Sequence, residues 1–371
     1  MTGTVEVLEV IRTAVLKGLP YTVYRQPNKS YFDARIQKGM ELELVEDYEE
    51  SGFVMSPFDV SKQAVIFRED NTRHYRAQFI SEPQAPEPVS GSVGDPSEDA
   101  CRQKHVELVS KGIDAVRQGE FTKIVLSRSE FVNLKRIDPL GIFISLAQRY
   151  PDAFAYVWFH PKVGLWAGAS PETLIRSRGT DFKTMSLAGT QRNNGSTEVT
   201  WGSKEIREQQ IVTDHIAGAL SEFSLVIKDT YTKKAGALLH LCNDIEGKLG
   251  PDSSMRELIE KLHPTPAVCG LPKEKALDFI MNHEGYDRSF YTGFLGELNC
   301  REHGGDSVIG KATTPRHSNL FVNLRCMQLI TKPVPGALIY VGGGITDESN
   351  SDLEWQETVD KSNIMKAVLP G

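Results

Sequence analysis

Acidic residues at helical spacing are the first groups in this chain that could do chemistry. Glu205 and Glu208, and likewise Glu354 and Glu357, lie three positions apart in segments that read as helices, so each pair points one way from its axis. Four converging carboxylates would repel one another unless a cation sat among them. Hard oxygen ligands without thiolate or imidazole partners favour Mg²⁺, which takes one or two protein carboxylates plus water and substrate oxygens. The competing reading of either pair is a solvated helix face.

Lys123 enters an otherwise apolar strand pattern, GEFTKIVLSR, in which Lys123, Val125 and Ser127 share one face and Thr122, Ile124 and Leu126 the other. A desolvated lysine can lose its proton and act as a general base; a snorkelling edge-strand lysine is the alternative. Glu172 follows Gly168, Ser170 and Pro171, a turn able to aim a carboxyl into a cleft or simply to lead into the next element. LAGT at 187–190 and VGGGIT at 341–346 end strand patterns with small residues that let backbone N–H groups approach an anion. Arg325 reads as a charge inside the strand NLRCMQL, suited either to a carboxylate ligand or to an internal ion pair. His240 and His263 sit in apolar surroundings, where a core imidazole satisfied by backbone is the usual case.

The elements that must position these groups fall into two regions. Residues 1–95 read as a strand-rich part behind one opening helix, with YTVYR, ELELVE, GFVMSPF, QAVIF and HYRAQFI as strands, closing in the Pro- and Ser-rich stretch 81–99. Residues 96–371 mix long helices such as GSKEIREQQIVTDHIAGALSEF and SDLEWQETVDKSNIMKAVL with strands such as AFAYVWFHP, LFVNLRCMQLI and ALIYVGGGI. Strands do not alternate strictly with helices, which predicts an α+β, largely antiparallel architecture. The five cysteines never form C-x-x-C and read as reduced thiols. A net charge of −7 gives no pull on nucleic acid. No run of apolar residues suits a membrane span or secretory signal, so the cytosol is the expected location, and no heptad or apolar stripe argues against a monomer.

In one order along the chain, FTKIVLSR, GASPE, LAGT, SKEIRE, LLHLCNDIEGKL, LHPTPAVCG, RSFYTGFLG, the strand around Arg325, GGGI and EWQETVDKS resemble the chorismate-utilising enzymes, a family that includes isochorismate, salicylate, anthranilate and aminodeoxychorismate synthases. The resemblance runs from about residue 100 to the C-terminus and implies a single large domain of two packed β-sheets with outer helices, the substrate chorismate lying in a deep cleft. Glu208 and Glu357 match carboxylates that hold Mg²⁺, with Glu205 and Glu354 as supporting ligands. Tyr291, Arg325, Gly342, Gly343 and Gly344 match the binding site of the enolpyruvyl carboxylate. Lys361 matches a basic residue near metal and substrate, Gly189 and Thr190 match substrate contacts, and His240 an active-site imidazole.

Lys123 stands where the water-using members carry lysine and the ammonia-using ones glutamine. Ala188 occupies the position of the lysine nucleophile of aminodeoxychorismate synthases, and Ala267 stands where salicylate synthases carry threonine. The resemblance therefore implies isochorismate formation, with Lys123 activating water and a protonated Glu172 as the acid. A salicylate synthase and a non-catalytic relative are the alternatives, and menaquinone and siderophore pathways stay open. The chain departs from the family pattern at Gln209, where histidine is usual, and at Ser289, where glycine is.

Overall fold

The central strands carry apolar residues on both faces, and both faces find a core. In the computed structural model, which describes residues 3–80, 96–192, 199–235, 238–301 and 315–370, the strand Phe154–His160 turns Ala155 and Val157 toward the helices Thr4–Lys17 and Pro139–Arg149. Its alternate residues Phe154, Tyr156 and Trp158 enter a second, aromatic core. The segment reads as a continuous apolar run because neither face meets water.

Two sheets share that aromatic core. One runs Gly270–Leu271, Lys123–Asn133, Gly336–Ile345, Cys326–Ile330, Gly164–Ser170, Phe154–His160, Tyr21–Arg25, Tyr31–Gln37, Thr72–Gln78. The other runs Val226–Ile227, Leu238–Lys248, Asp181–Arg192, Thr173–Arg178, His317–Val322, Phe294–Cys300, Gly52–Ser56, Val65–Arg68, with Tyr231–Ala235 also paired to Leu238–Lys248. Every pairing among the described strands is antiparallel. Phe154 stacks on Phe321 and Phe67 on Trp158 across the gap, at centroid separations of 4.4 and 5.3 Å. Helices close the outer faces: Pro96–Arg117 and Lys273–His283 over Ile124 and Leu126, Ser203–Ala219 and Met255–Leu262 over Phe182 and Ile245. The result is the expected α+β domain in four layers, helix, sheet, sheet, helix.

Strands within residues 21–78 extend both sheets. ELELVE, expected as a strand, forms only the isolated bridge Leu44–Val65, running along an outer edge with Glu41 and Glu46 toward water. Tyr31–Gln37 is a strand that the pattern conceals, because Asp33 and Arg35 are polar yet fully buried. Most of the Pro- and Ser-rich stretch at 81–99 lies outside the described residues, and the helix that follows begins at Pro96. LFVNLRCMQLI, expected as one strand, is two strands in different sheets, broken at Asn323–Arg325. No helix among the described residues is long and apolar enough to cross a membrane.

Glu297 shows how the inter-sheet layer accommodates charge. It accepts hydrogen bonds from Tyr24 Oη at 2.7 Å, Gln26 Nε2 at 2.9 Å, and His317 Nε2 and Asn319 Nδ2, both at 3.3 Å. Burial alone would raise its carboxyl, but the His317 hydrogen bond, the Arg35 charge and the Tyr24 hydroxyl outweigh it and hold the pKa at about 2, against 4.5 ordinarily. Because the folded value lies below the unfolded one, this stabilisation is complete above about pH 4.5 and is lost as pH falls through about 2. Glu297→Gln is expected to cost about 3 kcal/mol at pH 7 and to flatten the acid side of the stability profile, as urea unfolding between pH 7 and 2 will measure.

Candidate active site

The chain passes from one sheet to the other at two neighbouring places, and the cleft opens there. Pro171 and Glu172 join Gly164–Ser170 to Thr173–Arg178, while Asn323 to Arg325 join His317–Val322 to Cys326–Ile330. Val322 N donates to Glu172 O at 3.1 Å, Ser170 Oγ to Val322 O at 2.5 Å, and Ala169 N to Arg325 O at 3.0 Å, so the two crossings are laced together. Arg325 is thus not a charge within a strand. Its φ of 49° breaks the extended chain and turns the guanidinium into the cleft. Asn323 pins this crossing to the next turn, donating from Nδ2 to Phe290 O at 2.8 Å and accepting from Tyr156 Oη at 2.7 Å, which sets Tyr291 beside it.

The cleft has a cavity volume of about 70 Å³. Its walls include Glu172, Gly189, Thr190, Glu208, His240, Tyr291, Arg325, Gly342, Gly343, Gly344, Glu357 and Lys361. Three further candidates, Lys123, Glu205 and Glu354, stand behind this lining. Lys123 is not a snorkelling edge residue: it is 1% exposed, its strand is flanked on both sides, and its Nζ lies 2.7 Å from Glu208 Oε1. Burial works to raise Glu208, but the charge and hydrogen bond of Lys123, with help from Lys204 and Lys361, hold it below the ordinary range.

The acids of the two helices meet at consecutive glycines. A Cβ placed on Gly344 would collide with Glu208 Oε1 and come within 2.8 Å of Lys123 Cε; one on Gly343 would lie 3.1 Å from Glu354 Oε2 and 3.6 Å from Glu357 Oε1. The glycines are bare because the carboxylates need the room. The helix Ser351–Lys366 is fixed at its start by Asn350, whose side chain accepts from the N–H of Asp352 and Leu353, and it lays Glu354, Thr358 and Lys361 along its buried face. Glu354 accepts from Ser349 Oγ and Lys204 Nζ, both at 2.8 Å, while Lys361 Nζ lies 2.5 Å from Glu357 Oε1 and donates to Gly342 O at 2.8 Å. Burial and the nearby Glu357 charge raise the Glu354 carboxyl. Glu205 differs, its carboxylate folding back so that a Cβ on Gly202 would lie 2.5 Å from Oε2.

Glu172 is 2% exposed, and its carboxyl is raised to about 7 by burial, against the opposing charges of Lys233, Lys123 and Arg325. His240 is lowered to about 3 by burial and by Arg325 and Lys361, and is neutral at pH 7. Arg325 Nη2 can only donate to His240 Nε2, at 3.4 Å, so the proton sits on Nδ1 and is given to Gly189 O at 2.9 Å. Gly189 has φ 68° at a bulge inside Asp181–Arg192, so LAGT interrupts a strand and does not end one. His263 is a core histidine, its Nε2 meeting Pro57 O at 3.1 Å.

The departures from the family pattern have separate outcomes. Gln209 points away from the cleft, donating to Ser186 O and Asn243 Oδ1 at 3.0 and 2.9 Å. Ser289 adopts φ 51°, the conformation a glycine would take without strain, with its N–H held by Asp287 Oδ1 at 2.7 Å. Sequence reasoning missed Lys204, visible as the residue four before Glu208, and Lys233, which only strand pairing places opposite His240.

The chorismate-binding enzyme model matches residues 56–370. The chain belongs to that family. The salicylate biosynthesis isochorismate synthase of Pseudomonas aeruginosa is 31% identical over 294 residues, 76% of this chain and 58% of that protein. An isochorismate synthase of Bacillus subtilis is 30% identical over 279 residues, 69% of this chain and 65% of its own. The chain thus spans less than two thirds of the length of these curated relatives. The menaquinone-specific isochorismate synthase from Escherichia coli shares the fold, with a TM-score of 0.74 at 19% identity over 94% of this chain and 88% of that one.

Gly344→Ala is expected to cost about 1–3 kcal/mol by overpacking against Glu208 and Lys123, and Gly343→Ala less, because the nearest atom there, Glu354 Oε2, lies 3.1 Å away, beyond direct collision. Denaturant unfolding of the two variants side by side checks the order.

Proposed function

We propose that this chain is an isochorismate synthase, which moves the hydroxyl of chorismate from C4 to C2. The observation that carries the reading is Glu172, a carboxyl buried in the cleft wall and poised near neutrality, while the buried Lys123 stands behind another wall, 2.7 Å from Glu208, which lines the cleft. A carboxyl with pKa about 7 keeps its proton long enough to give it away at neutral pH.

In this reading Lys123, in its amine form, takes a proton from the water that attacks C2. Glu172 gives its proton to the departing C4 hydroxyl, and the double bond shifts between the two carbons. Arg325, with its planar fork, Tyr291 and the backbone of Gly342, Gly343 and Gly344 bind the enolpyruvyl carboxylate. Neutral His240 accepts from Arg325 and orients it without adding a charge. Gly189 and Thr190 complete the wall, and Lys361 sits between Glu357 and the Gly342 carbonyl.

Mg²⁺ is the cofactor of this proposal, and the donor set fits it. Glu208 and Glu357 offer hard oxygens in the cleft, with Glu354 and Glu205 behind them. Among the described residues no three His, Cys, Asp or Glu groups converge, so the four acids expected to gather do not form one cluster; Glu208 and Glu357 would hold the ion, with water and substrate filling its other positions. When bound, the ion neutralises the ring carboxylate of chorismate.

Incubation with chorismate and Mg²⁺, followed by separation of products, is expected to give isochorismate alone. Salicylate with pyruvate would favour the two-step alternative, and unchanged chorismate would overturn the proposal. Glu172→Gln and Lys123→Gln should each lower kcat by about 10²–10⁴-fold with chorismate binding retained. Because Glu172 must be protonated, kcat/KM of the natural chain should fall as pH rises past about 7, and Glu172→Gln should lack that limb.

A further inference from the structure

Lys233 is the inward residue of an outlying strand. Tyr231–Ala235 pairs only with Leu238–Lys248 among the described strands, and its Tyr231, Thr232 and Lys234 are exposed. Lys233 lies opposite His240 in that pairing, so its side chain emerges on the face that builds the cleft. The ammonium does not line the cleft. Its Nζ passes beneath the wall, donates to Pro171 O at 2.8 Å and rests 3.3 Å from Met185 Sδ.

Pro171 O belongs to the peptide that leads into Glu172, at the crossing where the chain changes sheets. Among the described residues Lys233 is the side chain that binds that carbonyl. We propose that Lys233 is a positioning residue for Glu172: it fixes the peptide that carries the acid and stabilises the carboxylate left when the proton departs. The inference rests on the reading of Glu172 as the proton donor. The proton goes from the Glu172 carboxyl to the leaving hydroxyl, and the Lys233 ammonium is unchanged before and after.

Three basic groups face Glu172 from three elements: Lys233 from Tyr231–Ala235, Lys123 from Lys123–Asn133, and Arg325 from the neighbouring crossing. His240 and Cys242 approach from Leu238–Lys248 and are uncharged at neutral pH. In this proposal Lys123 is occupied with the attacking water and Arg325 with the substrate carboxylate. Lys233 is the cation left free to answer the charge that develops on the acid.

The test has two arms. In the substrate-free protein, the Glu172 carboxyl is followed by ¹³C NMR of labelled glutamate, its signal identified by its loss in Glu172→Gln. Lys233→Met should move that titration upward by roughly half a pH unit or more, and Lys233→Arg should restore it. In turnover, Lys233→Met should lower kcat about tenfold with KM for chorismate within about twofold, and move the basic limb of the profile in the same direction. If Lys233→Met does not fold, Lys233→Gln, which keeps a donor for Pro171 O but no charge, carries the same expectation. An unmoved Glu172 titration overturns the proposal. If the natural chain makes no isochorismate, it is the reading of function that fails, and the titration still decides whether Lys233 governs Glu172.

Discussion

A charge carried between two packed β-sheets must find its counter-charge there, since water is excluded and an isolated ion is prohibitively costly. Most of the buried charges obey this closely. Lys123 meets Glu208, Lys361 meets Glu357, Lys204 meets Glu354, and Arg288 is clasped by Glu284, which also accepts from Ser127. Among the described residues Arg25 and Arg35 depart from it, bound to backbone carbonyls and to the Tyr24 hydroxyl and Cys300 thiol, and so do two groups in the cleft. Among the described residues Glu172 feels cations only through space, and Arg325 has a neutral imidazole as its hydrogen-bond partner and a buried Nε without one. These are the groups assigned to the proton and to the substrate carboxylate. Within the cleft, the pairing is complete at the helix acids and incomplete at these two groups.

Much of this was legible in the sequence, unevenly. Helix faces were readable because three-residue spacing needs no partner to interpret: Glu354 and Glu357 do converge, at Gly343. The same rule failed for Glu205, whose carboxylate turns back over Gly202, since periodicity fixes a face and not a rotamer. Strands were readable where both faces are apolar, as in Phe154–His160, and unreadable where buried polar residues imitate a surface, as in Tyr31–Gln37. Arg325 was misplaced because a chain that leaves one sheet and enters another keeps its apolar pattern through the break. Lys233 was invisible for a different reason, as its role depends on which residue lies across the ladder, and pairing is not written in any local window.

The family resemblance and the geometry contribute different things. Ordered motifs indicated which residues belong together, but not that the glycines of Gly336–Ile345 serve as the floor on which acids from two helices rest. Nor did they show that the imidazole of His240 is locked in one tautomer by an arginine that can only donate.

The twin passages between the sheets carry a mechanical consequence. Glu172 and Arg325 are each tethered at one end to one sheet and at the other end to its neighbour, and the passages are stitched side by side. Neither can wander as a loop tip does, yet both would be displaced together by a slip of one layer over the other. The spacing of the two groups therefore depends on interlocked aromatic rings such as Phe154 on Phe321, buried away from solvent. Heat or pressure that loosens this interlayer stacking would disarm the cleft while each sheet, with its ladder intact, still looked folded.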